Sequence, residues 1–113
     1  MLMLRGEISA GFPKASEGYE DTPLNLHDWL VRHPAATFFH RVQGDALKSE
    51  NIRSGSILVV DRSLVPPPGK LKTINGKLVL IECDGDSVVC RFHQDRPTRG
   101  ALKGIVVAVV TRY

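Results

Sequence analysis

The stretch Gly44–Asp61 has the residue types and spacing best suited to carry a functional side chain. It opens with a Gly-Asp turn, crosses a polar segment, turns again at Ser54-Gly55 and ends in the apolar run Ile57–Val60. A loop held between two strands is a common place for a catalytic or binding group, because the strands give it a rigid base. The residue at its tip is Ala46, whose methyl group can neither donate a proton nor attack another atom. Any chemistry here therefore depends on what Ala46 replaces.

The two cysteines of the chain, Cys83 and Cys90, are too few for a disulfide-stapled scaffold. If Asp84-Gly85 forms a tight hairpin turn, Cys90 lies opposite Val79, which separates the two thiols by over about 10 Å and excludes a disulfide between them. Cys90 and His93 could suggest a metal site, but two ligands do not make a zinc centre. We expect no metal and no cofactor.

Length and charge bound the class of protein. At 113 residues the chain has the size of one domain with one hydrophobic core. A net charge of +3 and a pI near 9.1 are typical of a solvated surface rather than of a specific nucleic-acid interface. No apolar run approaches the ~20 residues that span a bilayer, and Met1–Leu4 is too short for a signal-peptide core. We expect a cytoplasmic protein that binds neither membranes nor specific nucleic-acid sequences.

The first part of the chain has the composition of a flexible arm. Gly, Pro, Ser, Lys and Glu dominate residues 11–21, and no helical or strand period persists over residues 1–21. Residues 22–113 are then the folded domain. It begins with a short helix, in which Asn25 has the residue type of an N-cap and an apolar stripe follows. Pro34 ends the helix, because the residue before a proline avoids the helical region.

The remaining elements have the patterns of strands. The alternation of residues 37–42 puts Phe38, His40 and Val42 on one face. Residues 57–60 are an apolar run suited to a strand buried on both faces, and Val65–Gly69, with three prolines, must be a loop. Asp84-Gly85 joins two strands, at residues 77–83 and 87–93, as a hairpin. The β-branched run 105–110 is either the centre of a sheet or a covered edge. The predicted fold class is mainly β with one short N-terminal helix.

Several short motifs follow one another along the chain: Gly11-Phe12-Pro13, Leu24–Leu26, His33–Phe39, Gly44–Leu47, Ser54–Asp61, Asp84–Asp86 and Gly104–Val107. Taken together and in this order, they closely resemble the UmuD family, which is related to the LexA repressor. The resemblance implies the compact, curled β fold of LexA and signal peptidases, and usually a homodimer. It also implies an N-terminal arm that is removed by self-cleavage when a RecA filament promotes the reaction. The shortened form then works with a UmuC-like Y-family polymerase.

The resemblance assigns roles to individual positions. The cut falls between a small residue and the glycine of Gly-Phe-Pro, which here is the Ala10–Gly11 bond. The family's nucleophilic serine corresponds to Ala46, within the active-site loop Gly44, Asp45 and Leu47. Its neutral lysine base corresponds to Cys90 of Val89-Cys90. Because a serine–lysine dyad needs both members, we expect no intact catalytic residues.

We therefore expect a catalytically inactive UmuD-like accessory protein of the SOS response and translesion synthesis, which acts by binding. Its partners would be itself, another UmuD-type subunit, a UmuC-like polymerase or a RecA filament. One alternative is an active peptidase with a non-standard pair such as Cys90 and His93. Arg91 cannot replace the base, because it stays charged and alternates to the face opposite Cys90. Three further alternatives are attack by Ser49, Ser54 or Ser56, which have no evident base, an engineered serine-to-alanine change at Ala46, and a LexA-like DNA-binding regulator.

Overall fold

The structure is a computed structural model that describes residues 2–5, 21–96 and 100–113. The chain divides into two compact units, with the division between Leu30 and Val31. This division lies later in the sequence than the boundary that the composition predicts after Asp21. The cleavage-site-like Ala10–Gly11 bond falls in residues 6–20, outside the described part of the chain.

The first unit contains two strands and a short helix. Strands β1 (Leu2–Arg5) and β2 (Asp21–Leu24) pair antiparallel, and helix α1 spans Leu26–Leu30. The backbone N–H of Asp28 donates to Oδ1 of Asn25 at 3.2 Å, which confirms the predicted N-cap. The prediction of an arm without regular structure was wrong for Leu2–Arg5. Four residues give little periodicity to read, and their strand depends on pairing with a segment far along the chain.

The second unit is a five-stranded antiparallel sheet in the order β3-β4-β7-β5-β6. Its strands are β3 (Thr37–Arg41), β4 (Ile57–Asp61), β5 (Leu78–Cys83), β6 (Asp86–Arg91) and β7 (Ala101–Val110). The final apolar strand, β7, lies at the centre of the sheet. This is one of the two positions that the sequence predicts for it. Short 3-10 helices connect the strands at Pro34–Ala36, Lys48–Glu50, Arg62–Leu64 and Pro68–Ile74. The last of these begins inside the predicted proline loop, because proline fixes a φ that the first turn of a helix accepts.

Side chains of the sheet form two hydrophobic clusters on opposite faces. The first cluster contains Leu80 and the second contains its neighbours Val79 and Ile81, which alternate along β5. The other buried members of the first cluster are Val42, Ile52, Leu58 and Val60. Those of the second are Ile74, Phe92 and Ile105. The first cluster therefore lies between one face of the sheet and the loop part of the Gly44–Asp61 stretch. The second lies between the other face and the 3-10 helix Pro68–Ile74.

The predicted Asp84-Gly85 hairpin is present and sets the register of β5 against β6. Both residues have positive φ, 51° and 83°, which is the geometry of a type I′ turn. Cys83 therefore pairs with Asp86, and Cys90 with Val79, as the sequence predicts. Both cysteines are free thiols.

The sheet is curled. Phe38 and His40 of β3 line the same cavity as Ser87 of β6, although β3 and β6 are the two ends of the sheet. In a flat sheet, four strand spacings would separate these ends by about 19 Å. The sheet must therefore bend so that its two edge strands approach each other across the face of the first cluster, as expected for the LexA-like fold.

A buried carboxylate ties the segment before β3 to the end of β4. The Asp61 side chain is 3% exposed, and its Oδ2 lies 2.6 Å from Nδ1 of His33. Its Oδ1 accepts hydrogen bonds from the backbone N–H of Ser63 at 2.9 Å and from the Ser63 hydroxyl at 2.6 Å. Burial acts to raise the pKa of Asp61, but the hydrogen bonds from Ser63 and His33 outweigh it and lower the pKa.

Replacement of Gly104 by alanine should destabilise the sheet. A Cβ at this position would lie 2.4 Å from Cγ1 of the fully buried Val60, so the core must shift to admit it. We expect a loss of about 1–3 kcal/mol in the free energy of unfolding, measured by urea denaturation. Gly69→Ala is the matched control, because a Cβ there meets no atom within 4 Å. Equal stabilities of the two variants would contradict the close approach of β7 to β4.

Asp61→Asn should lower stability at neutral pH and flatten the acid limb of the stability profile. Because the folded-state pKa of Asp61 is lowered, its contribution is complete above the unfolded value of 3.8 and is lost as the pH falls through the folded-state pKa. Urea unfolding from about pH 7 to about pH 2 measures this dependence. An acid limb as steep in the variant as in the original chain would show that Asp61 is not the titrating group.

Candidate functional site

The loop that carries Ala46 is fixed at its base by backbone pairing. The N–H of Val42 donates to the carbonyl of Ser56 at 2.9 Å, and the N–H of Gly55 donates to the carbonyl of Val42 at 2.8 Å. Gly44 and Gly55 have φ values of 80° and 91°, a region that glycine adopts without steric cost. Glycine at these two positions therefore allows the chain to leave and rejoin the sheet sharply.

The middle of the loop is a 3-10 turn, held by hydrogen bonds to the carbonyl of Leu47 and by packing on the first cluster. The N–H groups of Glu50 and Ile52 both donate to the carbonyl of Leu47, at 3.0 and 3.2 Å. Ile52 is buried in the first cluster, and the half-buried Leu47 packs against that cluster. Two apolar side chains thus anchor the turn, and Ala46 remains exposed at its start.

Ala46 lines a cavity of about 450 Å³ on the concave face of the sheet. Val42, Gln43 and Leu47 form the loop side of this cavity. Leu58 and Leu80 form its floor, and Ser87, Val88 and Val89 of β6 form the opposite wall. Among the side chains that line it, His40 and Arg41 are the ionisable ones. The loop is therefore built to present a side chain into a cavity, and the side chain presented is a methyl group.

Cys90 lies on the other face of the sheet from this cavity. It pairs with Val79 and packs against the second cluster. Its neighbour Val89 pairs with Leu80 and packs against the first cluster. The two positions that the resemblance assigns to the dyad, Ala46 and Cys90, thus do not line one cavity, and the β6 residues that share a cavity with Ala46 are Ser87, Val88 and Val89.

Arg91 shares the Val89 face and fastens the Ala46 loop to β6. Its Nε and Nη2 donate to Oε2 of Glu50 at 3.0 and 2.6 Å, and its Nη1 donates to the carbonyl of Gly76 at 2.8 Å. These hydrogen bonds lower the pKa of Glu50 and raise that of Arg91. Arg91 alternates to the face opposite Cys90, as predicted, and this is the face that lies toward the Ala46 loop.

Two of the three serines near the loop, Ser54 and Ser56, have hydrogen-bond partners. Ser54 Oγ accepts a hydrogen bond from the N–H of Gly44 at 3.1 Å. Ser56 is 1% exposed, and its Oγ lies 2.8 Å from Oγ1 of Thr111. Ser49 lies in the 3-10 helix Lys48–Glu50. Ser54 and Ser56 thus hold the loop in place.

Sequence reasoning missed the four polar residues of the cavity, which are His40, Arg41, Gln43 and Ser87. The signal for His40 was present, because the alternation of β3 puts it on the same face as Val42. Ser87 gave no signal, since only the curl of the sheet brings β6 opposite β3.

In residues 2–5, 21–96 and 100–113, no three His, Cys, Asp or Glu side chains are grouped so that they could hold a metal ion. Within the same ranges, no helix has the length and apolar character needed to cross a membrane.

Arg91→Ala should loosen the Ala46 loop without unfolding the sheet. The variant removes the two hydrogen bonds to Glu50 that hold the 3-10 turn against β6, so we expect faster amide exchange at Glu50 and Ile52. The protection should also fall in the original chain as the pH drops through the lowered pKa of Glu50, because the protonated carboxyl no longer attracts Arg91. Arg112→Ala, on an exposed residue, is the control. Unchanged exchange at both amides in Arg91→Ala would show that the ion pair does not hold the loop.

Comparison with known proteins gives one family match and several relatives. The family model described as Peptidase S24-like matches residues 2–103. Protein MucA of Salmonella typhimurium is 52% identical over 64 residues, which are 57% of this chain and 44% of MucA. Protein SamA of the same species is 38% identical over 104 residues, 92% of this chain and 68% of SamA. The LexA repressor of Psychromonas ingrahamii is 31% identical over 94 residues, 83% of this chain and 41% of that repressor.

The chain is shorter than these relatives, and its matches span less than half the length of MucA and of the LexA repressor. The family match nevertheless includes the Ala46 loop, all of β3 to β6 and the start of β7. The chain belongs to the Peptidase S24-like family, as a UmuD-like member of the LexA type.

Proposed function

We propose that the chain is a cytoplasmic accessory protein of SOS mutagenesis that does not cleave itself and acts by binding other proteins. The observation that carries this proposal is the Ala46 loop, which keeps the form of a nucleophile-bearing loop without a nucleophile. Acyl transfer in a serine–lysine peptidase requires an attacking hydroxyl and a base within hydrogen-bond reach of it. Ala46 supplies no hydroxyl, and the loop that holds it is intact.

The position of the base supports the same proposal. Cys90 packs against the second cluster, away from the Ala46 cavity, among apolar side chains that include Phe92. Cys90 is not among the residues that line the cavity, where a nucleophile would have to attack. Val89 faces the cavity instead, and a valine cannot accept a proton. An unusual peptidase that uses Cys90 with His93 therefore has no support from the site.

The retained scaffold supports binding as the remaining role. The cavity under Ala46, the fastened loop and the curled sheet are all features that a protein partner could recognise without any bond being cut. We propose a homodimer, with a UmuD-type subunit, a UmuC-like polymerase or a RecA filament as further partners. Light scattering during size exclusion tests the dimer, and a monomer throughout the micromolar range would contradict it.

Incubation of the purified chain with RecA filaments on single-stranded DNA and nucleotide tests the absence of self-cleavage. A parallel incubation at alkaline pH tests the unaided reaction. Intact-mass spectrometry should show no loss of Met1–Ala10, because the loop presents the methyl group of Ala46 where the reaction needs an attacking hydroxyl. A UmuD-family protein that cleaves itself, treated in the same way, is the control for active filaments.

Cleavage at Ala10–Gly11 would overturn the proposal. Its sensitivity to a thiol-blocking reagent, and its loss in Cys90→Ser, would then assign the reaction to Cys90. Cleavage that persists in Cys90→Ser would point to a hydroxyl group of the loop, and Ser49→Ala would test that residue.

A further inference from the structure

A second cavity, of about 190 Å³, adjoins the one under Ala46. The two cavities share His40, Leu80 and Ser87, so they form one continuous depression on the concave face of the sheet. We call this depression the groove. All five strands of the sheet contribute to its lining, and all of its residues belong to the second unit.

The groove runs along the direction of the strands. Along β3 and the residue that follows it, Phe38 lines the second cavity, His40 lines both and Val42 lines the first. On β5, Glu82 lines the second cavity and Leu80 lines both. From Phe38 to Val42 the rise of a strand gives a length of about 13 Å, which an extended peptide covers with about five residues. The length and direction therefore suit a peptide in strand conformation better than a compact small molecule.

The two ends of the groove differ in chemistry. The end under Ala46 is mainly apolar, with Leu47, Leu58 and Val89 in its lining. Its cation, Arg41, donates a hydrogen bond to the carbonyl of Gly55 at 3.3 Å. The other end is basic, with Arg62 and Lys103 in its lining and Glu82 as its acidic residue. Arg62 lies over the ring of Phe38, with its guanidinium carbon 5.0 Å from the ring centroid, so its position is fixed from one side.

The two cations of the basic end have no acidic partner among the described residues. The ion pairs in that part of the chain join His27 to Asp28, His33 to Asp61 and Arg91 to Glu50. Two positive charges against one negative charge leave the basic end with a net charge that a carboxylate would neutralise. A guanidinium and an ammonium on one wall can both donate hydrogen bonds to such a group.

We propose that the groove binds an extended peptide segment of another protein, with an apolar side chain under Ala46 and an acidic side chain between Arg62 and Lys103. In an extended peptide, residues four positions apart point the same way and lie about 13 Å apart, which matches the separation of the two ends. The peptide backbone lies at the open mouth of the groove, where Gln43, His40 and Ser87 offer hydrogen-bonding groups. This inference rests on the proposed function, since it assigns the binding role to one surface and one class of ligand.

Fluorescence anisotropy with the full chain tests the proposal. The probes are capped, labelled peptides of about seven residues with one Leu and one Glu about four positions apart, in both orders, and the same peptides with Gln in place of Glu. In the better order, the Glu peptide should bind about tenfold more tightly than its Gln counterpart, because a charged acceptor strengthens both hydrogen bonds. The preference should weaken as salt is added.

Three variants locate the site of this preference. Arg62→Gln and Lys103→Gln should each remove most of it, whereas Glu82→Gln should increase it by removing the opposing charge. Lys72→Gln, on an exposed residue outside the groove, is the matched control and should leave the preference unchanged. Thermal unfolding of each variant checks the fold, and Glu82→Gln and Lys103→Gln test the site even if Arg62→Gln loses its contact with Phe38.

Several results would overturn the proposal. These are equal binding of the Glu and Gln peptides, no binding of either, and a preference that survives both cation variants. Tight binding of inorganic phosphate alone, with peptides adding nothing, would identify a simple anion site instead. Self-cleavage of the chain would leave these results unaffected, and a failure of the peptides to bind would leave the absence of self-cleavage unaffected, so the two proposals fail separately.

Discussion

The register between β5 and β6 decides which side chains face the Ala46 loop. It is set by the Asp84-Gly85 turn, whose positive φ values match the twist of the two strands. Because side chains alternate along a strand, a shift of one residue would exchange the two faces. With the register observed, Val89 and Arg91 lie on the side of the loop, and Cys90 lies among the side chains of the second cluster. One turn therefore separates the two positions that a serine–lysine peptidase would need to bring together.

The face of the sheet that lies toward the Ala46 loop has features that could serve the proposed binding role. The curl brings β3 and β6 to opposite walls of one groove, and Gly104 permits this packing by leaving room for Val60. Arg91 holds the loop to β6 through Glu50, and Asp61 holds the entry to β3 through His33. These contacts stabilise the walls of the groove and do not depend on a nucleophile. A chain without the reaction can therefore retain the surface, which is the physical basis of the proposed binding role.

Local signals in the sequence were sufficient to predict the strands of the sheet but not the polar contacts between distant residues. The Asp-Gly turn, the apolar run at residues 57–60 and the β-branched run at residues 105–110 each predicted a strand or pairing that the structure contains. The strand at Leu2–Arg5 was missed, because its pairing depends on residues far along the chain. The Arg91–Glu50 pair spans 41 positions and the His33–Asp61 pair spans 28, so no periodicity or motif could indicate either. The resemblance indicated the loop and the expectation that Ala46 stands at its nucleophile position. Which face of the sheet Cys90 occupies could be known only from the register of β6 against β5.

Nuclear Overhauser contacts from Cys90 and Val89 test the central claim most directly, because they report which face of β6 looks onto the loop. The account predicts contacts from the Cys90 β protons to side chains of the second cluster, such as Ile74 and Ile105. It also predicts contacts from the Val89 methyls to the first cluster, such as Leu80. Contacts from Cys90 to Ala46 or Leu47 would contradict the account, because they would place the base position beside the nucleophile position.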